Sequence, residues 1–494
     1  MLINPDAQPN LPSPSEAKGA SQSAGLNLDD IQGDILVGMK KDKELFFFFG
    51  IQDAATFKAK LGSDIHNLIT STTQLLDVSL QPVTAVNIAF SQTGLKALGN
   101  SDDLKDRLFQ AGQFNDARDL ADPGTGNWVQ GFAGTSIHGV FLIASDTQEN
   151  VDAELANIQN ILGNSITEIH RLQGAARPGD EKGHEHFGFM DGISQPAVKG
   201  FVQTPLPGQS VVDPGVILTA QTGDSNSRPA WTKGGSFLAF RQLQQRVPEF
   251  NKFLVNNALS VPGLTAQENA ELLGARMVGR WKSGAPIDLA PLRDDPALAA
   301  DRQRNNFFTF DHDDAKFNLS KNVTMCPFSA HIRKTRPRAD FSNDDTENQI
   351  IRAGIPYGPE VTDAEAAAQA SSGSPELERG LAFISYQSDI SKGFAFLQKK
   401  WANNKSFRRV LAIFSMKNPL TVMTTYDVLA YRVGLDPIIG SANSGPPGNA
   451  PRTIGGLDPT NPDRDIVINT DFVVSRGGEY FFSPPISALL TLSK

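Results

Sequence analysis

The sequence predicts an α+β protein built from two ferredoxin-like units in tandem, each an antiparallel sheet with helices packed on it. Three observations carry this. Strand-like and helix-like segments alternate between residues 44 and 171, a similar alternation restarts at residue 236, and residues 201–230 between them are rich in Pro, Gly, Ser and Thr. The expected division is a disordered tail over 1–27, a first unit over 28–215 and a second over 216–494.

Each element has its own reason. Residues 44–51 read Glu-Leu-Phe-Phe-Phe-Phe-Gly-Ile, an aromatic run suited to a strand, and 83–90 places Val86, Ile88 and Phe90 on one face. Residues 138–144 and 166–171 are two further strand candidates. Helices are expected over 54–70, 93–111 and 147–162. In the second half 236–243 reads as a strand, and 248–259 as a helix with Phe250, Phe253 and Leu254 at helical spacing. A capping pattern, Thr265 with Glu268 three residues on, opens a helix over 265–281. Later elements fall at 381–386, 390–401 and 472–482, with a small-residue excursion at 364–375 and a long surface loop at 439–462.

Composition narrows the function. With 494 residues and 39% hydrophobic content, the chain can bury cores large enough to enclose a cofactor. A net charge of −9 argues against nucleic acid, which demands concentrated positive potential. The single cysteine, Cys326, excludes an intrachain disulfide, a CxxC metal site and covalent haem attachment through CxxCH, and reads as a small buried hydrophobe. No run of 18 apolar residues is present, so no membrane crossing is expected. Residues 1–25 lack a basic stretch followed by an apolar run, so they read as a tail and not as a signal peptide.

Three segments carry chemistry. Gly188-Phe189-Met190-Asp191-Gly192, followed by Ile-Ser-Gln-Pro, holds an acid between glycines in a rigid turn. Cys326-Pro-Phe-Ser-Ala-His331 leads into the cationic run Arg333 to Arg338. Read alone, that run is a solvated face; beside a haem ligand it suits anionic propionates. Twenty-one residues after the histidine, Arg352 enters a stiff Gly/Pro loop that also holds Tyr357. One acid, one imidazole and one guanidinium are the set a haem peroxidase needs.

From about Leu28 to the C-terminus the chain resembles the fungal branch of the dye-decolorising peroxidase family. The GXXDG motif, the Ala-His-Ile-Arg-Lys-Thr-Arg-Pro-Arg stretch ending at Arg338, the Arg352 loop, the strand around Leu381 and the final Phe-Val-Val-Ser-Arg-Gly-Gly-Glu-Tyr-Phe-Phe stretch occur in the family's order. The resemblance implies tandem ferredoxin-like units and one non-covalent haem b per chain. It makes His331 the axial ligand, Asp191 the distal acid/base that shuttles a proton between the two peroxide oxygens, and Arg352 its cationic partner. Asp436, in Gly434-Leu-Asp-Pro, matches the carboxylate behind the histidine, with Asp389 as the rival and an Asp-Pro turn as the plainer reading.

Further roles follow from the same resemblance. Arg338 would meet the cofactor, Leu381 and Phe383 would wall the pocket, and Tyr357 or Trp401 would relay electrons from the surface. The implied reaction spends hydrogen peroxide through a ferryl-oxo porphyrin radical on bulky dyes and phenols. From the residues alone, the acidic run Asp344, Asp345 and Glu347 reads either as a rim site for manganese(II), a further donor, or as a solvated loop. An extracellular location is expected, with a cytoplasmic one as the alternative; the sequons at Asn318, Asn322 and Asn404 are compatible with export but also arise by chance at this length. The alternative function is a non-catalytic haem-binding or haem-carrying protein of the same fold.

Overall fold

The computed structural model describes residues 11–39, 42–122, 124–134, 136–310, 325–340, 345–405, 434–441, 451–461 and 463–494. In the first half, β1 (Lys43–Ile51), β2 (Ala85–Phe90), β3 (Gly139–Ser145) and β4 (Ile166–Ala175) pair antiparallel in the order β2-β3-β1-β4. A short parallel pair follows, β5 (Ala197–Val198) with β6 (Val211–Val212).

In the second half, β7 (Ser236–Gln245) lies between β10 (Gly380–Gln387) and β13 (Val473–Ser483). The two short strands β8 (Ile351–Arg352) and β9 (Ile355–Tyr357) share the outer edge of β10. A separate ribbon pairs β11 (Arg452–Ile454) with β12 (Ile466–Ile468).

Counting β8 and β9 as one position, both halves run second, third, first, fourth, which is the ferredoxin-like order twice over. The halves do not stand apart. A β13–β2 contact at Phe482 and Phe90 and a β4–β9 contact at Gly174 and Tyr357 join them into one closed ring, which leaves no long sheet edge unpaired.

Alternation along β1 assigns its two faces. Phe46 and Phe48 meet Phe240 from β7 at ring distances of 5.2 and 4.9 Å, so they fill the inside of the ring. Leu45, Phe47 and Phe49 face outward into a second cluster with Phe57, Leu155 and Ile158, under the helices Ala54–Ser63 and Gln148–Leu162. Each phenylalanine so buried contributes about 1.5–3 kcal/mol. A third cluster packs helices Val247–Asn256 and Ala266–Val278, through Phe250, Leu254, Leu272 and Leu273, together with the β11–β12 ribbon. This layer supplies one side of the cavity described below, and the outward faces of β7, β10 and β13 supply the other.

Several expectations change. Residues 14–24 are a helix, not a disordered tail: Ser13 and Glu16 form a capping box and Ala17 is fully buried. Residues 1–10 lie outside the described set. The expected helix over 93–111 is two, Gln92–Ala97 and Arg107–Ala111, the second capped by Asp106. The excursion at 364–375 contains the helix Asp363–Ala368, opened by a Thr362–Glu365 capping box. Within the expected linker, Ile217, Leu218 and Thr219 are fully buried, so that stretch is packed structure. The expected surface loop at 439–462 lies partly outside the described residues, and its described part contributes β11, with Ile454 and Leu457 in the core. Among the described residues no helix is long and apolar enough to cross a membrane.

Candidate active site

The glycine-flanked acid sits in the tight turn its sequence predicts. Gly188 and Gly192 adopt φ of +92° and +80°, a region closed to most side chains. Glu185 templates the turn: its two carboxylate oxygens accept the N–H groups of Phe187 and Phe189 at 2.9 and 2.8 Å. Main-chain bonds from Met190 to Lys282 O and from Asp191 to Gly183 O fix the rest. Asp191 is thereby pointed into a cavity of about 310 Å³.

Arg352, at the end of β8, meets it there. Its Nη1 donates to Asp191 Oδ1 at 2.5 Å, and the Gly192 N–H donates to the same oxygen at 2.6 Å. Burial pushes the Asp191 carboxyl up, but the Arg352 charge and hydrogen bond more than offset this and hold it below the usual aspartate value. The position of Arg352 is set by Gln195, which accepts its backbone N–H at 3.0 Å and donates to its carbonyl.

His331 opens the short helix His331–Thr335 and lines the same cavity. Its Nδ1 lies 2.7 Å from Asp436 Oδ2, and among the described residues its Nε2 has no partner and is left to the cavity. Asp436 is fully buried. Its other oxygen accepts the N–H groups of Ile438 and Ile439 at 2.8 and 3.0 Å, so it is both the Asp-Pro turn former and the histidine's partner. Burial opposes charge on both groups, and each partner's opposite charge wins: His331 is held above the ordinary imidazole value and Asp436 below the ordinary carboxylate value. Asp389, the rival, is elsewhere: it accepts from Asn226, Ser391 and Lys392 in a turn after β10.

The wall opposite the histidine layer comes from neighbouring strands in register. Leu381 on β10 stands beside Leu243 on β7, and Phe383 beside Arg241, and all four line the cavity. Phe394 packs on Phe383 at 5.7 Å and closes one flank. The cationic run divides. Arg333 is buried against Asp340 and stacked on Phe328 at 3.9 Å, and Lys334 donates to Asn404 O, whereas Arg336 and Arg338 line the cavity. The run is therefore not a solvated face. Arg338 stacks on Phe308 at 3.8 Å, with Nη bonds to Asn306 and to Phe308 O.

The two expected relay residues lie deeper than expected. Tyr357 and Trp401 are 4% and 3% exposed, so neither is the surface aromatic expected of a relay. The Tyr357 hydroxyl donates to Glu378 at 2.8 Å beneath the sheet edge, and Trp401 packs edge-on to Phe396 at 5.2 Å. Of the acidic run expected to hold manganese, Asp344 and the side chain of Asp345 lie outside the described residues, and Glu347 is paired with Lys392 at 2.7 Å. Among the described residues no group of three or more His, Cys, Asp or Glu gathers to hold a metal ion.

Sequence reasoning did not find Glu185, Gln195 or the cavity-lining Asp122, Arg241 and Ser475. Glu185 lies six residues before Asp191, a nearness that was there to be noticed. Gln195 lies four residues after Asp191, while Asp122, Arg241 and Ser475 join the cavity lining only through strand register and loop packing.

The arrangement suits a planar cofactor with one axial nitrogen. An unpaired imidazole nitrogen faces an apolar-walled space of ligand-site size, an ion-paired acid faces the same space, and arginines line it.

The chain matches the family models described as "DyP dimeric alpha+beta barrel domain" over residues 30–178 and "Dyp-type peroxidase, C-terminal" over 185–418. It is 62% identical to dye-decolorizing peroxidase msp1 of Mycetinis scorodonius, over 100% of this chain and 92% of that one. Identity to dye-decolorizing peroxidase AauDyP1 of Auricularia auricula-judae is 54%, over 97% and 89%. The crystal structure of a fungal DyP-type peroxidase from Auricularia auricula-judae superposes with a TM-score of 0.86 at 54% identity, covering 95% of this chain and 99% of that one.

Proposed function

Since the chain belongs to the dye-decolorising peroxidase family, we propose that it is a haem b enzyme that spends hydrogen peroxide on bulky dyes and phenols, with His331 as axial ligand. The observation that carries this reading is the facing pair: His331, backed by buried Asp436, turns its open nitrogen into the cavity that holds Asp191 and Arg352. His331 Nε2 would hold the iron, Arg336 and Arg338 would face the propionates, and Leu381 and Phe383 would cover the distal face. Haem held there would supply the redox chemistry toward hydrogen peroxide.

The protein's part is proton handling and exclusion. Asp191, charged at mildly acidic and neutral pH, would take the proton from one peroxide oxygen and return it to the other, which leaves as water. Arg352 holds that carboxylate in place and offsets the negative charge that grows as the O–O bond lengthens. The Asp436 carboxylate on Nδ1 leaves Nε2 as the nitrogen for the metal and makes it more basic. Leu381, Phe383 and Phe394 make the distal wall apolar and narrow, which suits a molecule of two oxygen atoms and excludes a dye. Bulky donors then deliver electrons from outside, and with Tyr357 and Trp401 buried these residues serve as interior steps of such a path and not as its surface entry.

A haem carrier would need only the histidine side of the cavity. The ion-paired Asp191–Arg352 couple on the other side favours the enzyme. The test is a haem-supplied preparation: a Soret band that disappears in His331→Ala, together with peroxide-dependent bleaching of an anthraquinone dye in the wild type. A wild-type haem content in that variant would remove His331 as the ligand.

A further inference from the structure

The proposed reaction leaves one polar feature of the cavity wall unused. Arg241, on the outward face of β7 beside Phe383, is 4% exposed and sits among Leu120, Phe383 and Phe394. Its Nη2 carries every hydrogen bond the guanidinium makes: to Asp122 Oδ1 at 2.6 Å, to Asp122 Oδ2 at 2.7 Å and to Ser475 Oγ at 2.5 Å. The Ser475 hydroxyl donates to Asp122 Oδ2 at 3.1 Å. Among the described residues neither Nε nor Nη1 has a partner, and Nε is fully buried. Among the described residues Asp122 Oδ1 accepts only from Arg241 and keeps a second lone pair.

Leaving a guanidinium under-bonded in an apolar wall is costly, and protein interiors seldom do so without a ligand or water. The vacant groups are specific in kind. A two-N–H donor, Nη1, and a carboxylate acceptor, Oδ1, stand on one neutral ion pair, at the cavity's surface. An anion would be repelled by Asp122 and a cation by Arg241. A small neutral molecule that both donates and accepts hydrogen bonds satisfies the two groups together, and the neighbouring phenylalanines restrict its size.

We propose that Arg241 and Asp122, with Ser475 as the residue that positions them, form a docking site for hydrogen peroxide on the wall of the cavity that also holds Asp191. One peroxide oxygen accepts from Arg241 Nη1 while an O–H donates to Asp122 Oδ1. The site raises the local peroxide concentration in the cavity that Asp191 serves, without any covalent step of its own. The inference rests on the proposed reading of the cavity as a peroxidase site. Water has the same hydrogen-bonding chemistry, and the experiment separates the two.

Arg241→Lys keeps a cation beside Asp122 and removes Nη1; Ser475→Thr keeps the hydroxyl and adds one methyl at the recess. Both holoenzymes are mixed with hydrogen peroxide in stopped flow, beside wild type and Asp191→Asn, and haem content and thermal midpoint are recorded for each. The expected result is a fall of about three- to tenfold in the second-order rate with hydrogen peroxide, the loss of roughly one hydrogen bond. The rate of dye oxidation after peroxide is spent should not change. A tert-alkyl hydroperoxide, too bulky for the recess, should react equally with wild type and variants. Crystals of Asp191→Asn holoenzyme soaked in peroxide should show diatomic density between Arg241 Nη1 and Asp122 Oδ1.

Wild-type peroxide rates in both correctly loaded variants, or a single water in the soaked crystal, overturn the proposal while leaving the peroxidase reading intact. Should Arg241→Lys fail to fold, Ser475→Thr and the soaked crystal decide alone. A wild-type protein that does not react with peroxide at all, or an Asp191→Asn variant that reacts normally, instead defeats the reading beneath it.

Discussion

Asp191 and Arg352 are 161 residues apart and share one hydrogen bond of 2.5 Å, and the proposed peroxide activation rests on that couple. Asp191→Asn keeps the turn, since an amide oxygen still accepts from Gly192, but cannot take a proton. The expected outcome is a peroxide reaction slowed by about 10²–10⁴-fold with haem content retained, read in stopped flow. Asp436→Asn acts on the other face. The two main-chain bonds to Ile438 and Ile439 survive on an amide oxygen, so the turn holds, while the charge that fixes the His331 ring is lost. Haem affinity should fall by about 10–100-fold, measured by transfer of haem to an excess of apomyoglobin.

At the level of elements, the Gly188–Gly192 turn depends on a side chain outside it. Glu185 is half-buried, desolvation pushes its carboxyl up, and it accepts two main-chain N–H groups and the Gln245 amide. Glu185→Ala orphans both N–H groups. A loss of about 1–3 kcal/mol in urea unfolding is expected, with a slower peroxide reaction than the loss of stability explains, because Asp191 is no longer held. The helix Ala266–Val278, which helps build the histidine side of the cavity, offers a control: Thr265→Ala removes its capping box and should cost about 1 kcal/mol without altering the peroxide rate.

For the whole molecule, two buried acids outside the site make stability depend on pH. Burial raises Asp106 to about 6 and Glu479 to about 7. Unfolded carboxyls titrate near 4, so the folded state binds more protons than the unfolded state between roughly pH 4 and 7. Their contribution is therefore fully present below the unfolded values and is lost as the pH rises through 6 and then 7. The thermal midpoint should rise as the pH falls from 8 to 5. Glu479→Gln retains an acceptor for the Gln113 and Tyr480 N–H groups without the charge. It should raise the midpoint at pH 8, reflecting a stabilisation on the order of a few kcal/mol, and leave it unchanged near pH 4. A midpoint that falls between pH 8 and 5 in the wild type would contradict the assignment.

Local sequence determined what local physics controls. Alternating aromatic and β-branched residues specified β1, β2, β3, β7, β10 and β13, capping residues specified Gln148–Leu162 and Ala266–Val278, and two glycines specified the turn that carries Asp191. The ordered motifs named His331, Asp191, Arg352 and Asp436 as well, because each sits in a stretch whose neighbours are themselves constrained. Three things waited for the tertiary structure. The two half-sheets close into one ring only through single-pair seams at Phe482–Phe90 and Gly174–Tyr357, which no periodicity encodes. Asp436 was separated from Asp389 by where each loop packs, 105 residues along the chain from His331 in the case of Asp436. Exposure decided the rest: Tyr357 and Trp401 are buried and Arg241 faces the cavity, because burial is set by what the whole chain lays over a residue and not by the residues beside it.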